Sequence, residues 1–117
     1  MYAIDYAARV ACEVGADVVK INIPAAVEKN QDIQPDDYKT IQLSQEEKIQ
    51  KVIRSAGKTM VIFSGGSKLS YQDCLGQARQ VMEQGSVGLI FGRNMWQRPM
   101  DEAVKLSQEI TTMMRSV

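Results

Sequence analysis

The sequence contains no histidine, so both the commonest general base and the commonest metal ligand are missing. Any catalysis must rest on Lys, Asp, Glu, Tyr or Arg, and a metal site is not expected. The two cysteines, Cys12 and Cys74, stand far apart without CxxC spacing. Both fall among apolar positions of helix-like stretches, the pattern of reduced, buried thiols. Neither sign of charge is in excess, since fourteen Lys and Arg balance fourteen Asp and Glu. With no basic run and no aromatics interleaved among cations, nothing would track a phosphodiester backbone, and nucleic acid is not an expected partner. No stretch approaches the ~20 apolar residues needed to span a bilayer, so no membrane association is expected. Met1-Tyr2-Ala3-Ile4-Asp5 lacks the regions of a signal peptide, and the expected compartment is the cytoplasm. Internal linkers and low-complexity segments are also lacking, and residues 1–117 read as one domain at most.

What is present is an alternation of two hydrophobic periods. Tyr6, Ala7, Val10, Ala11 and Val14 recur at helical spacing up to Gly15 and predict a helix beginning almost at Met1, with those residues as its buried stripe. Asp17 to Ile23 reads as a strand closed by Pro24. Pro24 to Leu43 is polar and rich in turn signals, a long loop with room for one helical turn. Ser44-Gln45-Glu46-Glu47 fits a capping box before a helix with Ile49, Val52, Ile53 and Ala56 on its inner side. Thr59 to Phe63 is a strand stopped by Ser64-Gly65-Gly66. Ser70 then caps a helix that buries Tyr71, Cys74, Leu75, Ala78, Val81 and Met82. Val87 to Phe91 is a third strand, stopped by Gly92-Arg93. Asn94 to Trp96 is a single helical turn, and Pro99 opens a last helix with Ala103, Leu106, Ile110 and Met113 inward.

Strands alternating with amphipathic helices give an α/β fold with a parallel sheet. Three strands leave both sheet edges open to pairing. The chain is therefore expected to be part of a larger barrel or sheet, or to assemble with another copy as a homo-oligomer.

In parallel α/β folds ligands bind beyond the carboxyl ends of the strands, and three polar endings meet there: Lys20-Ile21-Asn22, Ser64-Gly65-Gly66 and Gly92-Arg93. Side chains alternate along the first strand, so Val18, Lys20 and Asn22 share one face and Val19, Ile21 and Ile23 the other. Lys20 either reaches solvent from an edge strand or points into a cavity. There, desolvation favours the neutral amine that can attack a carbonyl and form a Schiff base. Asn22 suits either a strand-end hydrogen bond or a substrate contact. Ser64, Gly65 and Gly66 allow backbone N–H groups to approach an anion, and Gly92 with Arg93 adds further N–H donors and a guanidinium. Arg93 reads equally as a carboxylate-paired surface residue. Trp96 and the seven methionines read as packing residues, and no cofactor is expected.

Three segments, Ala16-Asp17-Val18-Val19-Lys20, Val61-Ile62-Phe63-Ser64-Gly65-Gly66 and Val87-Gly88-Leu89-Ile90-Phe91-Gly92-Arg93-Asn94-Met95-Trp96-Gln97-Arg98, together resemble the carboxyl-terminal part of the DhnA-type class I fructose-bisphosphate aldolases of archaea and bacteria. The resemblance covers nearly the whole chain. It implies a partial TIM (β/α)8 barrel, strands six to eight with their helices. It also implies that Lys20 is the Schiff-base lysine and that Ser64 to Gly66 with Gly92 and Arg93 hold the phosphate of a sugar-phosphate substrate. The family's acid/base aspartate on strand one and tyrosine on strand five have no counterparts among these residues, as expected of a fragment. A related transaldolase-like 2-amino-3,7-dideoxy-heptulosonate synthase would use the same lysine. A reading of another class is an inactive, phosphate-binding half-barrel that self-associates.

Overall fold

The structure, a computed structural model, describes residues 1–117. In chain order it comprises α1 (Tyr2–Glu13), β1 (Val18–Asn22), a 3-10 turn (Gln31–Ile33), α2 (Asp36–Lys39), α3 (Gln45–Ser55), β2 (Met60–Ser64), α4 (Tyr71–Glu83), β3 (Gly88–Ile90), α5 (Arg93–Trp96) and α6 (Met100–Ser116). The three strands form one parallel sheet in the order β1-β2-β3. The register aligns Lys20 with Ile62 and Asn22 with Ser64, and Ser64 in turn with Ile90.

Local chemistry sets the element ends. Ser44 Oγ accepts from the Glu47 N–H at 3.2 Å while the Glu47 carboxylate accepts from the Ser44 N–H at 2.7 Å, the reciprocal capping box expected from the sequence. Ser70 caps α4 by accepting from the Asp73 N–H at 3.1 Å. The polar stretch 24–43 contains two short turns rather than one, at Gln31–Ile33 and Asp36–Lys39. Both thiols are free; Cys74 is buried as expected, and Cys12 is only half-buried.

All the long helices lie against one face of the sheet. Ile21, Val61 and Phe63 are buried against Ala8 of α1, Ile49, Val52 and Ala56 of α3, and Val81 of α4. Leu89 joins this cluster to a second one formed by Cys74, Ala78, Leu106, Ile110 and Met113, between α4 and α6. The opposite face, carrying Val18, Lys20, Met60 and Ile90, has no helix on it, and Val18, Met60 and Ile90 are 45%, 47% and 43% exposed. A doubly wound sheet places helices on both faces. This singly wound arrangement is instead that of a barrel wall, helices outside and the bare face inward.

The buried side of α1 also differs from the sequence expectation. Tyr6, Val10 and Val14, the anticipated buried stripe of α1, are all more than half exposed, while Ile4, Asp5 and Ala8 turn inward. α1 carries two apolar stripes, and its packing on α3 and β1 selects the one that includes Ala8, which lets the helices approach closely.

Burying Asp5 requires partners, and three converge on it. Its carboxylate accepts from Tyr38 Oη and Ser55 Oγ, both at 2.5 Å, and pairs with Lys51 Nζ at 2.9 Å. This cluster pins α2, within the long loop, to α1 and α3. Burial alone would raise the Asp5 pKa, but the hydrogen bonds from Ser55, Tyr38 and Lys51 and the Lys51 charge outweigh it and hold the carboxyl below its ordinary 3.8. A carboxylate so held contributes stability that is fully present above its unfolded pKa and is lost as pH falls through the lower folded value. Urea midpoints followed from about pH 5 to about pH 2 should therefore fall more steeply for the parent than for Asp5→Asn, whose amide does not titrate. Parallel pH profiles would remove Asp5 from the acid response.

Candidate functional site

The carboxyl ends of the strands frame an open cleft of about 360 Å³ on the bare side of the sheet, lined by Lys20, Asn22, Ser64, Gly66, Ile90, Gly92, Arg93 and Trp96. Six of the seven residues singled out from the sequence are brought together here. Lys20 and Asn22 project from the same face of β1, and Asn22 lies beside Ser64 of β2. Ser64 Oγ donates to Asn22 Oδ1 at 2.5 Å. That contact orients the Asn22 amide and leaves its N–H donors for a ligand, in place of the local backbone bond that a strand-end Asn often makes.

Gly65 is the seventh, and it does not line the cleft. Its N–H donates to the Ile90 carbonyl at 3.3 Å, prolonging the β2–β3 ladder. A Cβ there would lie 2.4 Å from Phe91 Cδ1 and 2.8 Å from Asn94 Nδ2. Glycine is needed at this position for close packing between neighbouring loops, not for access to a ligand. Gly66 is the residue that faces the cleft, and its φ of +65° lies in the left-handed region that favours glycine. Gly65→Ala should destabilise the chain by about 1–3 kcal/mol, because Phe91 and Asn94 must both move. An unchanged urea midpoint would show that the loops have slack.

Trp96 also departs from expectation. It is 70% exposed and lines the cleft, with Nε1 3.6 Å from where a Gly92 Cβ would stand, so it is not a packing residue. Its position on the turn directly after Gly92-Arg93 could have signalled this, since α5 is a single turn that keeps its residues at the strand ends.

Buried side chains from the helical layer fix the loops around the cleft. Lys48 of α3, only 5% exposed, donates from Nζ to the Ala25 and Ala26 carbonyls at 3.0 and 2.9 Å, and Gln45 Nε2 donates to the Pro24 carbonyl at 2.6 Å. These bonds hold the chain leaving β1. The chain leaving β2 is held by Asn94 and Arg98, which sequence reading did not single out because a buried Asn and Arg in a polar loop look like surface residues. A wider groove of about 840 Å³ runs between α3 and α4, but it is lined mainly by Gln and acidic residues, contains no lysine and lies on the helical side. The Lys20 amine, the Gly66 and Gly92 loops and Arg93 share only the smaller cleft.

Most of the chain is similar to known proteins. Residues 2–98 match the family described as DeoC/LacD family aldolase. The chain is 35% identical over 95 residues to the fructose-bisphosphate aldolase class 1 of Halobacterium salinarum, covering 81% of this chain and 29% of that protein. It is 36% identical over 96 residues to the enzyme of the same name from Thermoproteus tenax, with the same coverage. Among solved structures, an archaeal fructose-1,6-bisphosphate aldolase, whose catalytic lysine is covalently bound to the carbinolamine intermediate of its substrate, superposes with a TM-score of 0.71 at 30% identity, over 97% of this chain and 37% of that one. The chain thus spans about a third of the length of the proteins it matches. Such neighbours are TIM-barrel aldolases, and three parallel strands with helices on one side only are part of such a barrel. With the family match running from the first helix through all three strands and their loops, the chain belongs to the DeoC/LacD aldolase family.

Proposed function

We propose that residues 1–117 are the carboxyl-terminal part, strands six to eight, of the barrel of a Schiff-base fructose-bisphosphate aldolase. In this reading Lys20 is the nucleophile, and Gly66, Gly92 and Arg93 bind a substrate phosphate. The observation that carries it is the sharing of one cleft by the Lys20 amine and the Gly66, Gly92 and Arg93 loops. The neutral amine attacks the ketose carbonyl to give a carbinolamine, which loses water to an iminium. The bond between the third and fourth carbons then breaks, and its electron pair moves into the iminium to leave an enamine. Fructose 1,6-bisphosphate is thereby split into glyceraldehyde 3-phosphate and, after protonation of the enamine and hydrolysis, dihydroxyacetone phosphate. Asn22, oriented by Ser64, holds a substrate hydroxyl, and Arg93 with the loop N–H groups places the carbonyl against the amine. The acid/base groups of the reaction come from strands beyond these three.

The bare sheet face and two open edges support a second element of the reading, that the chain self-associates unless further strands cover it. Sedimentation across a range of concentrations tests this, and a concentration-independent monomer would count against it. For the chemistry, borohydride trapping with dihydroxyacetone phosphate followed by peptide mapping is the test, on this chain and on a polypeptide that supplies the remaining strands. The expected product is a reduced adduct on the Lys20 peptide, suppressed by inorganic phosphate. Absence of the adduct from both would overturn the assignment.

A further inference from the structure

The loops after β2 and β3 are tied together by two side chains with no assigned part in the chemistry. Asn94 is 1% exposed. Its Oδ1 accepts from the Leu69 N–H at 2.8 Å, and its Nδ2 donates to the Gly65 and Ser67 carbonyls, both at 3.1 Å. One amide thus spans the loop 65–69 and uses both its donor and acceptor ends. Arg98 continues the tie. Its Nε donates to the Asn94 carbonyl at 2.6 Å, one terminal nitrogen donates to the Leu69 and Ser70 carbonyls at 2.7 and 3.2 Å, and the other to Glu102 at 3.3 Å. The close approach of Gly65 to Phe91 and Asn94 closes the remaining gap between the loops.

We infer that Asn94, supported by Arg98, is a positioning residue that makes these two loops one rigid anion-binding unit, setting Gly66 against Gly92 and Arg93. The inference rests on the phosphate-binding reading above and deepens it. Two loops free to move independently would each lose conformational freedom when an anion bound between them; loops already joined lose little, and affinity rises accordingly. Polar side chains in the protein interior strengthen this effect, because breaking the tie leaves the Leu69 N–H and two carbonyls without partners. Asn94 lies on the far side of Gly65 from the cleft and is absent from its lining, so it acts through the loop and not on the ligand.

Trp96 is the only tryptophan in the chain and lines the cleft, so its emission reports binding of inorganic phosphate directly. Asn94→Ala should weaken phosphate binding by about tenfold. Its rate of borohydride trapping at Lys20 with unphosphorylated dihydroxyacetone should stay close to the parent's. Should Asn94→Ala not fold, Asn94→Asp provides the near-isosteric variant. It keeps an acceptor for the Leu69 N–H but turns a carboxylate toward the Gly65 and Ser67 carbonyls. Its phosphate affinity relative to the parent should be lowest at neutral pH and recover toward acid, where the protonated carboxyl can donate to one carbonyl again. A merely structural role would lower phosphate binding and dihydroxyacetone trapping together. Parent-like phosphate binding in either folded variant would overturn the inference. Failure of the parent itself to bind phosphate or to be trapped would instead overturn the functional reading beneath it.

Discussion

Replacement of Lys20 by alanine is expected to abolish the reduced adduct altogether and, in a polypeptide with a complete barrel, to lower cleavage by roughly three orders of magnitude or more, the scale on which covalent nucleophiles act. Lys20→Arg should fail equally. It keeps a positive charge in the cleft, but a guanidinium does not deprotonate to an attacking amine. The pair of variants therefore separates nucleophilic from electrostatic participation, since a purely phosphate-steering lysine would be largely replaced by arginine. Other lysines are poor substitutes for geometric reasons. Lys48 is engaged with two carbonyls, Lys51 with Asp5, Lys39 with Asp36 and Lys68 with the Gln97 carbonyl, and none of them lines the cleft. Peptide mapping of the trapped product decides the matter. An adduct that persists on another peptide in Lys20→Ala would locate the chemistry elsewhere.

Phe63→Ala should be the most damaging substitution in the core. Phe63 is the largest fully buried side chain, sits on the central strand and meets residues from the helical layer on the covered face of the sheet. Emptying its site removes a ring and leaves a cavity, at a cost of about 3–5 kcal/mol. For a domain whose total stability is on the order of 5–15 kcal/mol, that is at least about a fifth of the total, and the urea midpoint should fall by more than about 1 M. The next residue, Ser64, orients Asn22, so a softened strand end should also weaken phosphate binding. Val10→Ala on α1 is the matching control. Because Val10 is 54% exposed, the expected change is within about 0.5 kcal/mol. A large loss at Val10 with a small one at Phe63 would reverse the assignment of inner and outer faces.

The positions of most elements were legible because their signals are local. Ser44 and Ser70 cap helices through bonds that close within three residues, and the strands are short apolar runs that Pro24 and the two glycine turns interrupt. The cleft residues were legible for a related reason. In a parallel sheet every strand delivers its carboxyl end to the same edge, so Lys20, Asn22, Ser64, Gly66, Gly92 and Arg93 had to meet once the alternation was recognised. Gly65 shows the limit of that argument. Its neighbour in sequence turns to the cleft, while its own N–H completes a ladder bond to Ile90, and only the strand register decides between the two.

By itself, then, the sequence determined the order of helices and strands, the parallel sheet and the edge at which the Lys20 amine meets the glycine loops and Arg93, because each depends on contacts within one element or on the direction of the chain. The tertiary structure alone decided which stripe of α1 is buried, and that Asn94 and Arg98 lie inside, joining two loops. These outcomes depend on partners far away in the sequence. A helix with two apolar stripes buries whichever meets a neighbour of the right shape, and a polar side chain can be buried only where distant backbone groups satisfy its hydrogen bonds.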